Sequence, residues 1–485
     1  MCNIIIYYII CFAAQNYFIF HKTQNKKAKN IAFPLPREKI VLSLQAKQTY
    51  NHFLMRHFTL LAFCFVLAFA DVFAQKEVSG IYAGGHIRRG RPNTITKLRQ
   101  SGFTYLILFN VDVKADGTLT TDGDTICYNG EYVFQKKQPY YQQDIKNLKT
   151  PPTSITRIEI CIGGWGNNSY GNIKNLVNSK GTGRTTMLYR NFKALKDAVP
   201  EIDAVNNDTE QDYDPESAAK FHIMMYGLGY KTTFAPYTYM SYWTQLNDKI
   251  RASRPTAVDR VMVQCYDGGA GNLNNVGSWN FTGVSERHPG LLNYSNDWSV
   301  ERNLAQFQQW KDQGVATGGF VWLYNDGYDE TWDLNGWASG LNRIFGAVTV
   351  PEEQVVARCY SEKNYGGYCI SLPEGTFTQP DLAVYGLKAS DLSSIEIVDD
   401  FYQVKLFTSV NCTGTRRTLK SSSKNLTTFD NKVCSIVIEP NPTAIKTIDK
   451  EQRTTDNGIY NLSGQRLQKE QKGINIVNGK KVLVK

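Results

Sequence analysis

Residues 203–210 read Asp203-Ala204-Val205-Asn206-Asn207-Asp208-Thr209-Glu210. Side chains two apart on a strand share a face, so Asn206, Asp208 and Glu210 would point the same way. Two carboxylates held close together cannot both ionise freely, and one of them is then available as an acid near neutral pH. The competing reading is a solvated polar loop, since Gln211-Asp212-Tyr213-Asp214 continues in the same style. Asp214, just before Pro215, reads as the N-cap of a helix that starts with Pro. Spacing alone leaves the two readings level.

The surroundings of this segment are a repeated β-α pattern. From about residue 78 to 345, short apolar runs alternate with amphipathic stretches, as in a parallel sheet built from βα units. Strands are expected at 78–84, 105–111, 157–163, 201–207, 231–236, 260–266, 290–294 and 318–324. Helices are expected at 93–101, 187–198, 215–228, 239–252 and 300–313, with an irregular quadrant between 266 and 290. Eight such strands in a stretch of this length fit a (β/α)8 TIM barrel of about 250 residues, here assigned to 75–350. The acid row then ends the fourth strand, on the barrel face where chemistry is carried.

With the row placed there, the segment resembles the D-G-x-D-x-D-x-E signature of glycoside hydrolase family 18, the chitinases and endo-β-N-acetylglucosaminidases. Asp203, Asp208 and Glu210 match it. Ile162-Gly163-Gly164-Trp165-Gly166 resembles that family's Gly-Gly third strand, Met262-Val263-Gln264-Cys265-Tyr266 its Gln-x-Tyr sixth strand, and Gly318-Gly319-Phe320-Val321-Trp322 its Trp-bearing eighth. The resemblance implies a retaining hydrolase for β-1,4 bonds next to N-acetylglucosamine. Glu210 would be the general acid, and Asp208 would orient the substrate's own acetamido group, whose oxygen attacks the anomeric carbon. Tyr266 and Gln264 would hold the acetamido group, Trp322 would floor the sugar, and Asp203 and Asn206 would belong to the substrate site. No cofactor and no metal are implied.

Two positions depart from the signature. Ala204 replaces its Gly, and Asn206 replaces its middle Asp. An amide hydrogen-bonds but cannot share a proton with Asp208, so recovery of the Glu210 proton would suffer. A glycan-binding, lectin-like protein is therefore the alternative to an enzyme, and a surface adhesin is a third reading. Aromatic rings suit the apolar faces of sugars; at 12% aromatic content they occur throughout, and only Trp165 and Tyr237 are assigned to a glycan groove.

Beyond Val350-Pro351 the texture becomes short alternating strands with Gly-rich turns, an all-β module at 351–440. Cys359-Tyr360-Ser361-Glu362-Lys363-Asn364-Tyr365-Gly366-Gly367-Tyr368 resembles the opening hairpin of a βγ-crystallin Greek-key motif, with a second copy starting near Val404. The loops 389–394 and 430–435 are poor versions of that family's calcium-binding loop, because they lack several of the oxygen donors that calcium prefers. Four cysteines fall here, Cys359, Cys369, Cys412 and Cys434, and in an exported protein they suggest two disulfides, with Cys359–Cys369 the favoured pair. Cys127, Cys161 and Cys265 read as small core residues or one further pair. Residues 441–455 read as a linker. Residues 456–485 resemble the C-terminal sorting domain of type IX secretion substrates, through Gly458-Ile459-Tyr460-Asn461-Leu462-Ser463-Gly464 and the closing Gly479-Lys480-Lys481-Val482-Leu483-Val484-Lys485.

At the other end, Met55-Arg56-His57, the apolar run 58–70 and Val72-Phe73-Ala74 have the layout of a signal peptide cleaved after Ala74. Met55 is read as the true start, with 1–54 a mis-assigned extension; a membrane anchor at 4–20 is the alternative. Loss of 1–74 removes eight basic and two acidic residues, so the formal charge falls from +10 to +4. That balance makes no case for a nucleic-acid partner. The expected partners are a GlcNAc-containing glycan and the type IX machinery, and the expected location is the cell surface or the medium. With 485 residues, 42% apolar and 20% charged, a collagenous, disordered or multi-span membrane chain is excluded.

Overall fold

The computed structural model describes residues 74–83, 87, 92–293, 299–324, 333–444, 459–461, 466–477 and 480–484. The extension at 1–54, the signal segment up to residue 73 and most of the 441–455 linker lie outside the described residues. Among the described residues no helix is long and apolar enough to cross a membrane.

In chain order the barrel region opens with β1 (Ser79–Ala83), α1 (Asn93–Ser101) and β2 (Tyr105–Leu108). An insertion of short strands follows: β3 (Asp112–Val113), β4 (Leu119–Thr121), β5 (Asp124–Tyr128) and β6 (Glu131–Tyr132), an antiparallel four-stranded sheet. Then come α2 (Tyr141–Lys149), β7 (Arg157–Gly163), α3 (Ser169–Lys180), α4 (Met187–Ala198), β8 (Ala204–Asp208), α5 (Pro215–Gly227), β9 (Lys231–Phe234), α6 (Met240–Ser253) and β10 (Val258–Gln264). Two 3-10 turns, Asp267–Asn274 and Val276–Ser278, occupy the quadrant expected to be irregular. The region closes with β11 (Glu286–Leu292), α7 (Val300–Asp312), β12 (Gly319–Tyr324) and α8 (Leu334–Phe345).

β1, β2 and β7 to β12 pair in parallel and close into an eight-stranded barrel, with β1 bonded to both β2 and β12. Its strands are buried along nearly their whole length, as parallel strands covered by helices must be. All eight expected strands are present. The fourth starts later than expected, at Ala204, because the chain still turns at Glu201, and the seventh starts earlier, at Glu286.

The C-terminal part consists of β13 (Ala357–Tyr360), β14 (Cys369–Leu372), β15 (Gly375–Phe377), α9 (Gln379–Val384), β16 (Ser394–Ile397), β17 (Tyr402–Phe407), β18 (Arg416–Leu419) and β19 (Ser435–Pro440). Two antiparallel sheets result, β14-β13-β16 and β15-β19-β17-β18. β15 crosses from the first half into the second sheet, and Ser423 of the second half bridges back to Ile395 in the first, so the halves exchange strands over one apolar core. A last four-stranded sheet joins β20 (Ile459–Tyr460), β21 (Arg466–Leu467), β22 (Gly473–Val477) and β23 (Lys480–Val484).

The expected disulfides are absent among the described cysteines, all of which are free. Cys359 lies opposite Ile370 and Tyr360 opposite Cys369, so Cys359 and Cys369 point to opposite faces of their sheet, one buried and one exposed. Alternation along the strands separates them. The Cys434 thiol faces Ser390 Oγ at 3.6 Å, and that of Cys412 has Phe377 O at 4.0 Å.

The all-β part is clasped to the barrel. Asn342 in α8 accepts from Ser79 Oγ at 2.7 Å and donates to Gly102 O at 2.8 Å and Ala383 O at 2.9 Å. Next to it, the Arg343 guanidinium lies 3.9 Å above the Tyr368 ring and donates to Gly386 O at 2.7 Å. Val384 joins the barrel's own apolar core.

Candidate active site

The acid row sits where the strand geometry requires. Asn207 and Thr209 form its outward row. Asn207 donates to His222 Nε2 at 3.0 Å and accepts from Thr209 N at 3.0 Å, while Thr209 Oγ1 bonds Asp212 O at 2.8 Å. Fastening that row to α5 turns Asp208 and Glu210 to the barrel mouth. Asp214 N-caps α5 by accepting from Ser217 N at 3.2 Å, with Pro215 in the first turn, as the sequence indicates.

Asp208 is buried beneath the mouth. Its Oδ1 accepts from Gln264 Nε2 at 2.8 Å, and its Oδ2 faces the Cys161 thiol at 3.8 Å. On β7, Gly163 has φ +112°, and a Cβ there would fall 2.1 Å from the Asp208 carbonyl, so only glycine lets these strand ends approach. Burial pushes the Asp208 carboxyl well above the usual carboxylate range, and the charge of Glu210 adds to this; Cys161 and Gln264 pull the other way. Burial likewise raises Glu210, which is about half-buried, with Asp267 adding to the effect and Gln264 opposing it. No cation is among the causes of either shift.

These groups line an open cavity of about 570 Å³. Its aromatic floor is built from the ends of β2, β10 and β12. Trp322 stands edge-on to Phe109, with ring centroids 4.8 Å apart, and lies nearly parallel to Tyr266 at 6.4 Å. Burial, followed by Asp208 and Glu210, raises the Tyr266 hydroxyl above its ordinary pKa, so it is kept as a protonated donor. Tyr237 and Trp165 stand at the walls, the latter 89% exposed.

The lining thus brings together Asp208, Glu210, Gln264, Tyr266, Trp322, Trp165 and Tyr237 from the sequence reading. It does not include Asn206 or Asp203. Asn206 is fully buried below the cavity, accepting from Tyr82 OH at 2.9 Å and donating to Met262 Sδ at 3.4 Å. Asp203 precedes β8, at the opposite end of the barrel, where Lys149 Nζ donates to it at 2.7 Å and Ile158 N at 2.8 Å. It is a structural ion pair, not a sugar ligand. The lining also contains four residues the sequence reading missed: Phe109, Gly164, Asp267 and Gly268. Asp267 and Phe109 each directly follow a strand-end run, the position that on this barrel face marks a site residue.

In the all-β part, the second loop's Asp430 is ion-paired with Lys363 at 2.9 Å. Among the described residues no group of three or more His, Cys, Asp or Glu could hold a metal ion.

No protein-family model matches the chain, and no curated protein is similar to it. Among solved structures, the chain is similar to a βγ-crystallin domain from Flavobacterium johnsoniae, with 31% identity over 18% of this chain and 99% of that one, at a TM-score of 0.18. A βγ-crystallin domain from Clostridium beijerinckii is 26% identical over 17% of this chain and 95% of its own, at a TM-score of 0.17. The N-terminal domain of protein S is 22% identical over 18% and 98%, also at 0.17. Each of these similarities spans less than a fifth of this chain.

Proposed function

We propose that the barrel is a retaining glycoside hydrolase of the family-18 type, cleaving β-1,4 bonds next to N-acetylglucosamine in chitin-like oligomers or N-glycan cores. One observation carries the reading: two adjacent carboxyls without a cation, both shifted towards the protonated form, over an aromatic floor in an open cavity. In this scheme Glu210 gives its proton to the glycosidic oxygen as the bond to the anomeric carbon breaks. The acetamido oxygen of the same sugar closes onto that carbon to form a cyclic oxazolinium ion. Asp208, steadied by Gln264, accepts from the acetamido N–H, and Tyr266 donates to the acetamido oxygen. Water, deprotonated by Glu210, then opens the ring with net retention. Trp322 stacks beneath the sugar and excludes water.

A lectin-like role is the second reading, favoured by Asn206. Its amide is engaged by Tyr82 and Met262 and offers Asp208 no proton to share. The deciding experiment is release of reducing sugar from chitin oligomers and from a high-mannose glycoprotein by the purified protein, beside Glu210→Gln. Cleavage lost in the variant supports the enzyme; saturable binding without cleavage in either supports the lectin. We further infer export through the 55–74 signal segment and type IX sorting through 456–485, tested by fractionating cells that carry the full chain or a chain ending at 455.

A further inference from the structure

We propose that Tyr213 and Tyr239 form a second sugar-stacking subsite outside the cavity, filled by a neighbouring sugar of the same glycan. The inference rests on the glycan reading above and extends it to the length of chain the protein grips. Tyr237 is on the cavity wall, and two residues later Tyr239 is 59% exposed. Its backbone is left-handed, at φ +55° and ψ +51°, a conformation that bulky side chains rarely adopt. The Tyr239 side chain makes no capping bond to α6, so local helix structure does not account for the conformation. What the conformation accompanies is the ring's seating: its centroid is 4.3 Å from that of Tyr213, at 41°.

Tyr213 is in turn propped edge-on against buried Tyr242, with centroids 5.2 Å apart, so the exposed ring has a fixed backing. Burial raises the Tyr213 hydroxyl pKa, and the nearby Tyr237 adds to the rise. Tyr213 lies three residues beyond Glu210, so one loop carries both the acid and the platform. The exposed Tyr239 ring, backed by Tyr213, matches one pyranose face in size, far below the roughly 800 Å² per partner of a stable protein interface. Pyranose C–H faces are the ligand chemistry that an uncharged, rigid aromatic pair beside a sugar pocket suits.

The test is equilibrium binding of chitobiose, chitotetraose and a high-mannose N-glycan to the full chain carrying Glu210→Gln, with Tyr239→Ala or Tyr239→Phe added. At least one longer probe should bind the Glu210→Gln protein about fivefold or more tighter than chitobiose, the size of one aromatic contact. Tyr239→Ala should erase that margin and leave chitobiose within about twofold, while Tyr239→Phe, which keeps the ring, should preserve it. Equal weakening of short and long probes, no weakening, or equal loss in Phe and Ala would overturn the subsite while leaving the glycan reading intact. Failure of the Glu210→Gln protein to bind any of the three probes would overturn both.

Discussion

The two ends of one barrel hold carboxylates in opposite company. At the N-terminal end, Glu159 is fully buried and accepts from Arg157 Nε at 2.6 Å, with Arg260 Nη1 at 3.5 Å. Arg157 also grips Asp259 at 2.8 Å and Arg260 reaches Glu77 at 3.0 Å, while the Arg260 guanidinium lies 4.3 Å above the Tyr105 ring. Burial alone would lower the Arg157 pKa, but Glu159, Asp259 and Glu77 hold it charged. At the C-terminal end, Asp208 is buried almost as deeply, with an amide, a thiol and the neighbouring Glu210 carboxyl beside it. Glu159 has guanidinium partners, whereas burial drives Asp208, which has none, towards its acid form. The arrangement of charge, more than the presence of acids, separates the structural end from the cavity end.

The largest effect expected from this contrast is on Glu210. Glu210→Gln should cut sugar release by roughly 10²–10⁴-fold, the usual worth of a general acid. Because burial raises the Glu210 pKa, the acid form persists above the ordinary glutamate range near 4.3. Sugar release should therefore decline with rising pH only above that range, which a pH–rate profile checks.

Next comes the paired end. Glu159→Gln leaves Arg157 and Arg260 buried beside a neutral amide and should destabilise the fold by about 3 kcal/mol, read by urea unfolding. If it proves harmless, the contrast between the two ends fails.

An effect confined to acid pH concerns His222, whose pKa burial lowers to about 3. Its stabilising contribution is complete above the unfolded value near 6.5 and is lost as pH falls from there to about 3. His222→Gln should flatten the loss of stability over that window by up to ~1.4 kcal/mol per pH unit, seen in acid titrations followed by circular dichroism.

The last effect is on Asp208. Its raised pKa means that ionisation opposes folding above the ordinary aspartate value near 3.9, so Asp208→Asn should melt higher than the parent at neutral pH and equal to it in acid. Scanning calorimetry at the two pH values checks this, and the same variant should lose sugar release.

Much of this was legible in the sequence where local pattern and tertiary demand agree. Strand β7 and helices α1 and α4 fall on their expected bounds, because apolar periodicity is what the barrel buries. Helix α8 was not read, since Leu-Asn-Gly-Trp-Ala-Ser-Gly-Leu is a weak helix former. Its Gly340 is there for packing: a Cβ would come 2.4 Å from Leu304 of α7. Helix α3, with three Asn and a Gly, likewise depends on burial of Tyr170, Ile173 and Val177. The β3–β6 insertion announced itself in Asp122-Gly123 and Asn129-Gly130, both pairs at positive φ, in the turns between β4 and β5 and between β5 and β6. In the site, inward alternation offered Asp208 and Glu210 and the family resemblance singled them out, but the burial of Asn206 and the diversion of Asp203 to Lys149 depend on partners far away in sequence.

Asn342 bears on how the protein comes apart. Its one amide group ties together the first strand, the end of the first helix and the all-β part. The barrel's last stitch is thus made by a segment that leaves the translating ribosome after every barrel strand. Barrel closure and docking of the all-β part should be coupled, so that heat melts both together, while a chain cut near residue 350 keeps the Asn342 bonds to Ser79 and Gly102 and loses the one to Ala383.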